Sequence, residues 1–430
     1  MDAAAYQSSP PARDNNTIPA VIIVLLLIVA AAFSANRKPV TTGFDELAHT
    51  SYVAQLQRDG TFWPDLERLR LLDSKTFAFT GQASYLNHPP FYYHLMALAG
   101  PRLEGLPGHL FVHRLINIVI VALGVAALFG IALRQPLTRL QFYALMLPTV
   151  LIPVLPQLAG SINNDNLAFT GGALTLLGLW SYLESTERRW LLCASLGVLI
   201  ASAAKITGLL LAGGMLGAAM LIALWQRRTS ASDVTLSVLT IGISAVPYIA
   251  LMLEYGSPAP NTPGQLAMLK EGATAAGWSE APRFGVAGYA LFFLGSFIAD
   301  WMPTLEPRSV LNLAVLALPV AAVLLALAGL LQSLRRLFRG EATGLDIVIV
   351  GGMLAIVGTM AIHAAFSYRR HLDTGWMMDA YPRYYLPLIA IVPLAGFSFA
   401  NSIAGERART ALLLFLVVSP FVFALLGRPY

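Results

Sequence analysis

Charge is scarce in this sequence. Asp, Glu, Lys and Arg make up 12% of its 430 residues, about half the share of an ordinary soluble domain. Cysteine is nearly absent, with Cys193 alone, which excludes a secreted domain held by disulfides. No Gly-rich phosphate loop stands between a strand and a helix, and none of the usual nucleotide-binding signatures is present. Internal repeats and low-complexity tracts are also missing. What is there instead is apolar: 57% of the residues, with a mean hydropathy of +0.65. Those values exclude intrinsic disorder and exceed what a soluble chain of this size could hide in its cores. The composition therefore implies an all-α polytopic membrane protein.

The net charge of +5 does not point to nucleic acid, because Lys and Arg gather in the cytoplasmic turns of membrane proteins. About eleven apolar runs are long enough to count: Ile18–Ala35, Leu110–Leu133, Leu140–Leu158, Leu167–Leu183, Trp190–Ala204, Leu209–Trp225, Val234–Leu253, Val310–Leu331, Ile347–Phe366, Tyr385–Ala400 and Ala411–Leu426. Alternate turns carry Arg134 and Arg139, Arg188 and Arg189, Arg227 and Arg228, Arg335, Arg336 and Arg339, then Arg407 and Arg409. These short basic turns are expected in the cytoplasm. The opposite face then holds the turn Gly160–Asn166 and two long loops, Asn36–His109 and Tyr255–Arg308. On this reading residues 1–430 form one transmembrane domain with the N-terminus inside and the C-terminus outside. A full crossing at Val286–Trp301 would turn Arg335, Arg336 and Arg339 outward, so that stretch is expected to be re-entrant or interfacial. The first apolar run lacks a basic flank and a small-residue cleavage site, and is expected to be an anchor rather than a signal peptide.

The outer loops concentrate polar residues. Asp45, His49 and Tyr52 recur at i, i+4 and i+7, one face of a helix, and Glu46 adjoins Asp45. A solvated helix capped by acids accounts for that segment as well. His88 precedes Pro89 and Pro90, which fix an extended entry to the aromatics Phe91, Tyr92 and Tyr93. An interfacial anchor explains the tyrosines and leaves His88 unexplained. Asn163, Asn164, Asp165 and Asn166 crowd one short turn, more amide and carboxyl groups than a turn needs. Lys205 stands at the outer end of a run, where it either snorkels or serves a site. Arg369, Arg370 and Arg383, the last followed by Tyr384, break the positive-inside pattern. Forked recognition of a phosphate supplies one reason, and binding to anionic outer-leaflet lipid supplies another.

Carboxylates, a histidine and cations at headgroup depth suit an anionic, lipid-borne substrate. Glycosyl transfer from a polyprenyl-phosphate sugar fits. Its leaving group is a phosphate that needs only cations to meet its charge. A carboxylate at the anomeric carbon can take the acceptor proton or stabilise positive charge on the sugar ring.

In their order and sidedness these motifs resemble the GT-C glycosyltransferases, which include protein O-mannosyltransferases and lipid A aminoarabinose transferases. They comprise an acidic pair with His and Tyr after the first span, His-Pro-Pro-Phe-Tyr-Tyr, Asn-Asn-Asp-Asn after the third, and Arg-Tyr-Tyr-Leu-Pro. The resemblance implies Asp45, with its neighbour Glu46, as the catalytic acidic position. It implies Asp165 as the second such position. It also implies Lys205 and Arg383 as cations near the donor phosphate. Which of Asp45 and Glu46 acts is open. Some relatives use a divalent metal, and the acids here could hold one, although no spacing requires it. The expected protein is an inverting glycosyltransferase of a bacterial inner membrane. Its site would face the periplasm, its donor would be a polyprenyl-phosphate-linked sugar, and its acceptor would be a glycan, lipid or protein. The alternatives are a flippase of lipid-linked sugar and a scaffold of envelope assembly. No inverted repeat and no ionisable residue deep in a span favours transport, unless His363 is one; it reads better as a satisfied interhelical group.

Overall fold

The computed structural model describes residues 15–152, 154–299, 310–377 and 380–426. Almost all of it is helical. The helices are α1 (Thr17–Arg37), α2 (Glu46–Asp59), α3 (Phe91–Ala99), α4 (Leu110–Arg134), α5 (Arg139–Val150), α6 (Val154–Ala159), α7 (Asp165–Ser185), α8 (Arg188–Ala204), α9 (Ile206–Gly208), α10 (Gly214–Trp225), α11 (Ala231–Tyr255), α12 (Pro263–Ala275), α13 (Val286–Ala299), α14 (Val310–Phe338), α15 (Gly344–Thr374), α16 (Ile391–Ser402) and α17 (Glu406–Leu426). The strands form one short antiparallel pair, β1 (Arg70–Leu72) and β2 (Phe79–Ala83), inside the first loop.

Among the described residues six helical segments are individually long and apolar enough to cross a membrane, or seven if the bent pair Pro382–Leu388 and Ile391–Ser402 counts as one span. The all-α polytopic class thus stands, while single long apolar helices among the described residues do not by themselves confirm the expected number of eleven. The remaining runs are helical but fall short singly. α5 is interrupted after Val150, α8 has 17 residues, α7 opens on Asp165 and Asn166, and α17 opens on Glu406. The stretch from Val286 forms the short apolar helix α13, and Trp301 lies outside the described residues.

Small residues let the central helices touch. A Cβ on Gly178 would press on the Ala194 and Trp190 backbones, and one on Gly197 would meet the Thr175 backbone. This is the small-residue packing that favours helix association where lipid offers no hydrophobic drive. The helices also have two chemically different ends. At one, Arg134 donates to Ser181 at 2.7 Å, Arg188 pairs with Asp233 at 2.9 Å, and Arg336 pairs with Asp346 at 3.3 Å. There too Asn16 and Gln141 tie turns to Leu137 and Asn401. At the other end α2, the strand pair and α3 form a cap with its own core, including Tyr52, Leu69, Tyr92, Tyr93 and Met96.

Candidate active site

The chain enters the cap through a strained turn. Gly43, Phe44 and Asp45 all take left-handed backbone angles, with φ of 71°, 60° and 57°. For Phe44 and Asp45 that costs about 1–3 kcal/mol each. Asp45 is the N-cap of α2, yet its side chain makes no capping hydrogen bond. Its Oδ1 accepts from the Tyr85 hydroxyl at 3.1 Å, and its Oδ2 from Arg383 Nη2 at 2.5 Å. The simple acid cap is therefore not how this carboxylate is used.

Arg383 arrives on the 3-10 segment Pro382–Leu388. That segment packs where α7 has no side chain: a Cβ on Gly172 would run into the Pro387 carbonyl. The same guanidinium places Nε 3.7 Å from Asp165 Oδ2. Asp165 Oδ1 in turn accepts from Lys205 Nζ at 2.5 Å. Lys205 is a single extended residue between α8 and α9, with φ −168° and ψ 161°. A π-helical turn, Leu209–Gly213, follows; such irregularities recur at functional sites. The ammonium also lies 3.8 Å from the Tyr384 ring centroid.

Two carboxylates and two cations thus alternate in one row, Asp45, Arg383, Asp165, Lys205. The buried end is Asp165 and Lys205, with side chains 1% and 4% exposed, and the open end is Asp45 at 40%. Burial pushes the Asp45 carboxyl up. The charge of Arg383, with the hydrogen bonds from Arg383 and Tyr85, outweighs it and holds the carboxyl below the usual range.

Behind the row stand aromatic and amide groups. His49 Nδ1 shares a hydrogen bond with the Tyr93 hydroxyl at 2.9 Å, and its Nε2 one with Asn163 Nδ2 at 3.2 Å. Burial lowers its pKa to about 3, so it is neutral. Tyr52 stacks on Tyr93, Tyr93 on His49, and His49 on His88, with the last pair 6.2 Å apart and nearly parallel at 6°. Asn163 also donates to the Phe44 carbonyl and accepts from the Asp165 N–H. Asn164 donates to the Ala204 carbonyl beside Lys205.

Three expected residues stand apart from the row. Glu46 is fully buried: Arg114 grips both its oxygens at 2.8 and 2.7 Å, Lys38 lies 3.3 Å away, and the Ile162 N–H donates to it at 2.9 Å. Arg114 also donates to the Ala35 and Lys38 carbonyls. Arg369 is exposed on α15, and Arg370 donates to Asn261 at 3.2 Å. Among the described residues no group of three or more His, Cys, Asp or Glu is placed to hold a metal ion. His363 forms the interhelical hydrogen bond expected of it, 3.1 Å to the Tyr385 hydroxyl. Arg114, Lys38 and Tyr85 were not anticipated. Arg114 had a readable signal, a charge inside the run Leu110–Leu133.

The family described as "Predicted membrane protein (DUF2142)" matches residues 70–392, well over half of the chain. The chain belongs to that family. No curated protein matches. Among solved structures, the chain is similar to ArnT from Cupriavidus metallidurans in the apo state, at 13% identity and a TM-score of 0.40, over 87% of this chain and 85% of that one. It is similar to the same protein bound to undecaprenyl phosphate at the same identity and TM-score, over 94% and 85%. At that TM-score the likeness assigns neither a fold nor an activity to this DUF2142 chain.

Proposed function

We propose that the protein is a GT-C-type glycosyltransferase that moves one sugar from a polyprenyl phosphate to an acceptor hydroxyl with inversion. The observation that carries the reading is the single guanidinium of Arg383 set between a part-exposed and a buried carboxylate. A phosphate ester offers the same kind of acceptor oxygens as Asp45. Entering the open end of the row, it competes for Arg383 and leaves Asp45 free beside the sugar. Lys205 adds a second positive charge. Asp45, held in its ionised form, stabilises the positive charge that develops on the ring. The leaving phosphate departs with the electron pair, already neutralised by two cations, and needs no acid.

The basic turns of the other end favour a cytoplasmic placement of that end. The site then faces the periplasm of a bacterial inner membrane. The acceptor is a glycan, lipid or protein that approaches from there. Proteoliposomes test the reading. With a labelled polyprenyl-phosphate sugar in the lipid and candidate acceptors outside, a new glycosidic bond supports it. Labelled lipid that crosses the bilayer with no new bond supports a flippase instead.

A further inference from the structure

Transfer releases a proton from the acceptor hydroxyl, and most basic atoms around the row are engaged. Asp45 has one oxygen on Tyr85 and the other on Arg383. Asp165 is buried, with its oxygens toward Lys205 and Arg383. His49 is buried, with one ring nitrogen on Tyr93 and the other on Asn163. His88 differs. Its ring nitrogens make no hydrogen bond among the described residues. It is also half-buried where Tyr52, Tyr93 and His49 are buried, which makes it the outermost ring of the stack. Its backbone is fixed on its C-terminal side, by Pro89 and Pro90 and by the Tyr52 hydroxyl donating to its carbonyl at 3.2 Å. A rigid backbone, a stacked ring and open nitrogens suit a group that must meet a ligand atom.

We propose that His88 is the catalytic base that takes the acceptor proton, a role that rests on the glycosyltransferase reading above. The acceptor oxygen bonds to the anomeric carbon as the bond from that carbon to the phosphate oxygen breaks. The phosphate leaves with the electron pair, and the acceptor proton passes to a ring nitrogen of His88.

The charges around the ring make its basicity depend on the donor. Burial, then the charges of Lys205 and Arg383, hold His88 well below the ordinary imidazole range, with the neutral His49 ring stacked beside it. Lys205 comes from the break between α8 and α9, His49 from α2, and Arg383 from the 3-10 segment. A donor phosphate offsets the two permanent cations, so His88 becomes a better base when the donor is bound. Proton capture is thereby tied to a loaded site.

The full chain in proteoliposomes tests this with His88→Ala and His88→Gln. Both are expected to lower transfer by about a hundredfold or more while polyprenyl phosphate itself binds as to the wild type. Added imidazole is expected to restore part of the His88→Ala rate. Near-normal transfer by either variant, or a loss that imidazole leaves untouched, overturns the role. A wild type that transfers from no polyprenyl-phosphate donor overturns the reading beneath it, a result distinct from an active wild type with an active His88→Ala.

Discussion

Arg383 and Asp45 are 338 positions apart in sequence and 2.5 Å apart in space. The contact closes the row of charges: it joins the turn before α2 to the segment before α16, and through Asp165 to the start of α7. Because Asp45 is part-exposed, solvent screens the pair and its stabilising effect is small.

Asp45 and Glu46 are adjacent and are expected to behave oppositely. Asp45→Asn lowers sugar transfer about a hundredfold or more with little change in melting temperature. Glu46→Gln leaves Arg114 and Lys38 buried without their counter-charge and destabilises by about 3–5 kcal/mol. Thermal unfolding in detergent beside the transfer assay separates the two. A stable Glu46→Gln protein contradicts the structural role of that residue.

Lys205→Met is expected to cost about 3–5 kcal/mol, because Asp165 stays buried with only Arg383, 3.7 Å away and shared with Asp45, to meet its charge. The double variant Asp165→Asn with Lys205→Met recovers much of that loss in the same melt. It recovers none of the transfer. Additive stability losses would mean the two residues act separately.

Gly172→Ala places a methyl group against the Pro387 carbonyl. The segment carrying Arg383 must shift, at a cost of about 1–3 kcal/mol and with weaker binding of polyprenyl phosphate. Gly358→Ala on α15 meets open space and serves as the control, with stability unchanged or slightly raised.

Acid should unfold the protein partly through His49. Its folded pKa of about 3 lies below the unfolded value of 6.5. Its neutral burial therefore costs nothing above pH 6.5. Stability then falls as pH drops from 6.5 toward 3, by up to about 1.4 kcal/mol per unit for this one proton. His49→Gln removes that share, so its melting temperature should decline less steeply than the wild type's between pH 6.5 and 4.

Sequence reasoning reached the fold class and the row of charges by different routes. Asp45, Asp165, Lys205 and Arg383 were legible because each is a polar residue where an apolar chain gives no other reason for one. The division of labour between Asp45 and Glu46 was not legible, since it depends on Arg114, 68 positions from Glu46 and inside an apolar run. Arg369 and Arg370 were grouped with Arg383 by sign alone, yet α15 carries them to Asn261 and the surface. The count of eleven spans is not matched by single long helices for a similar reason: α5, α7 and α8 are broken, polar at one end or short, which hydropathy over a run does not weigh.

The most direct test is an experimental structure with polyprenyl phosphate bound. The account predicts the phosphate between the Lys205 ammonium and the Arg383 guanidinium, with Asp45 released from Arg383 and turned toward the sugar position. A phosphate seated among the arginines of the opposite end, or an undisturbed Asp45–Arg383 pair with lipid bound elsewhere, would contradict it.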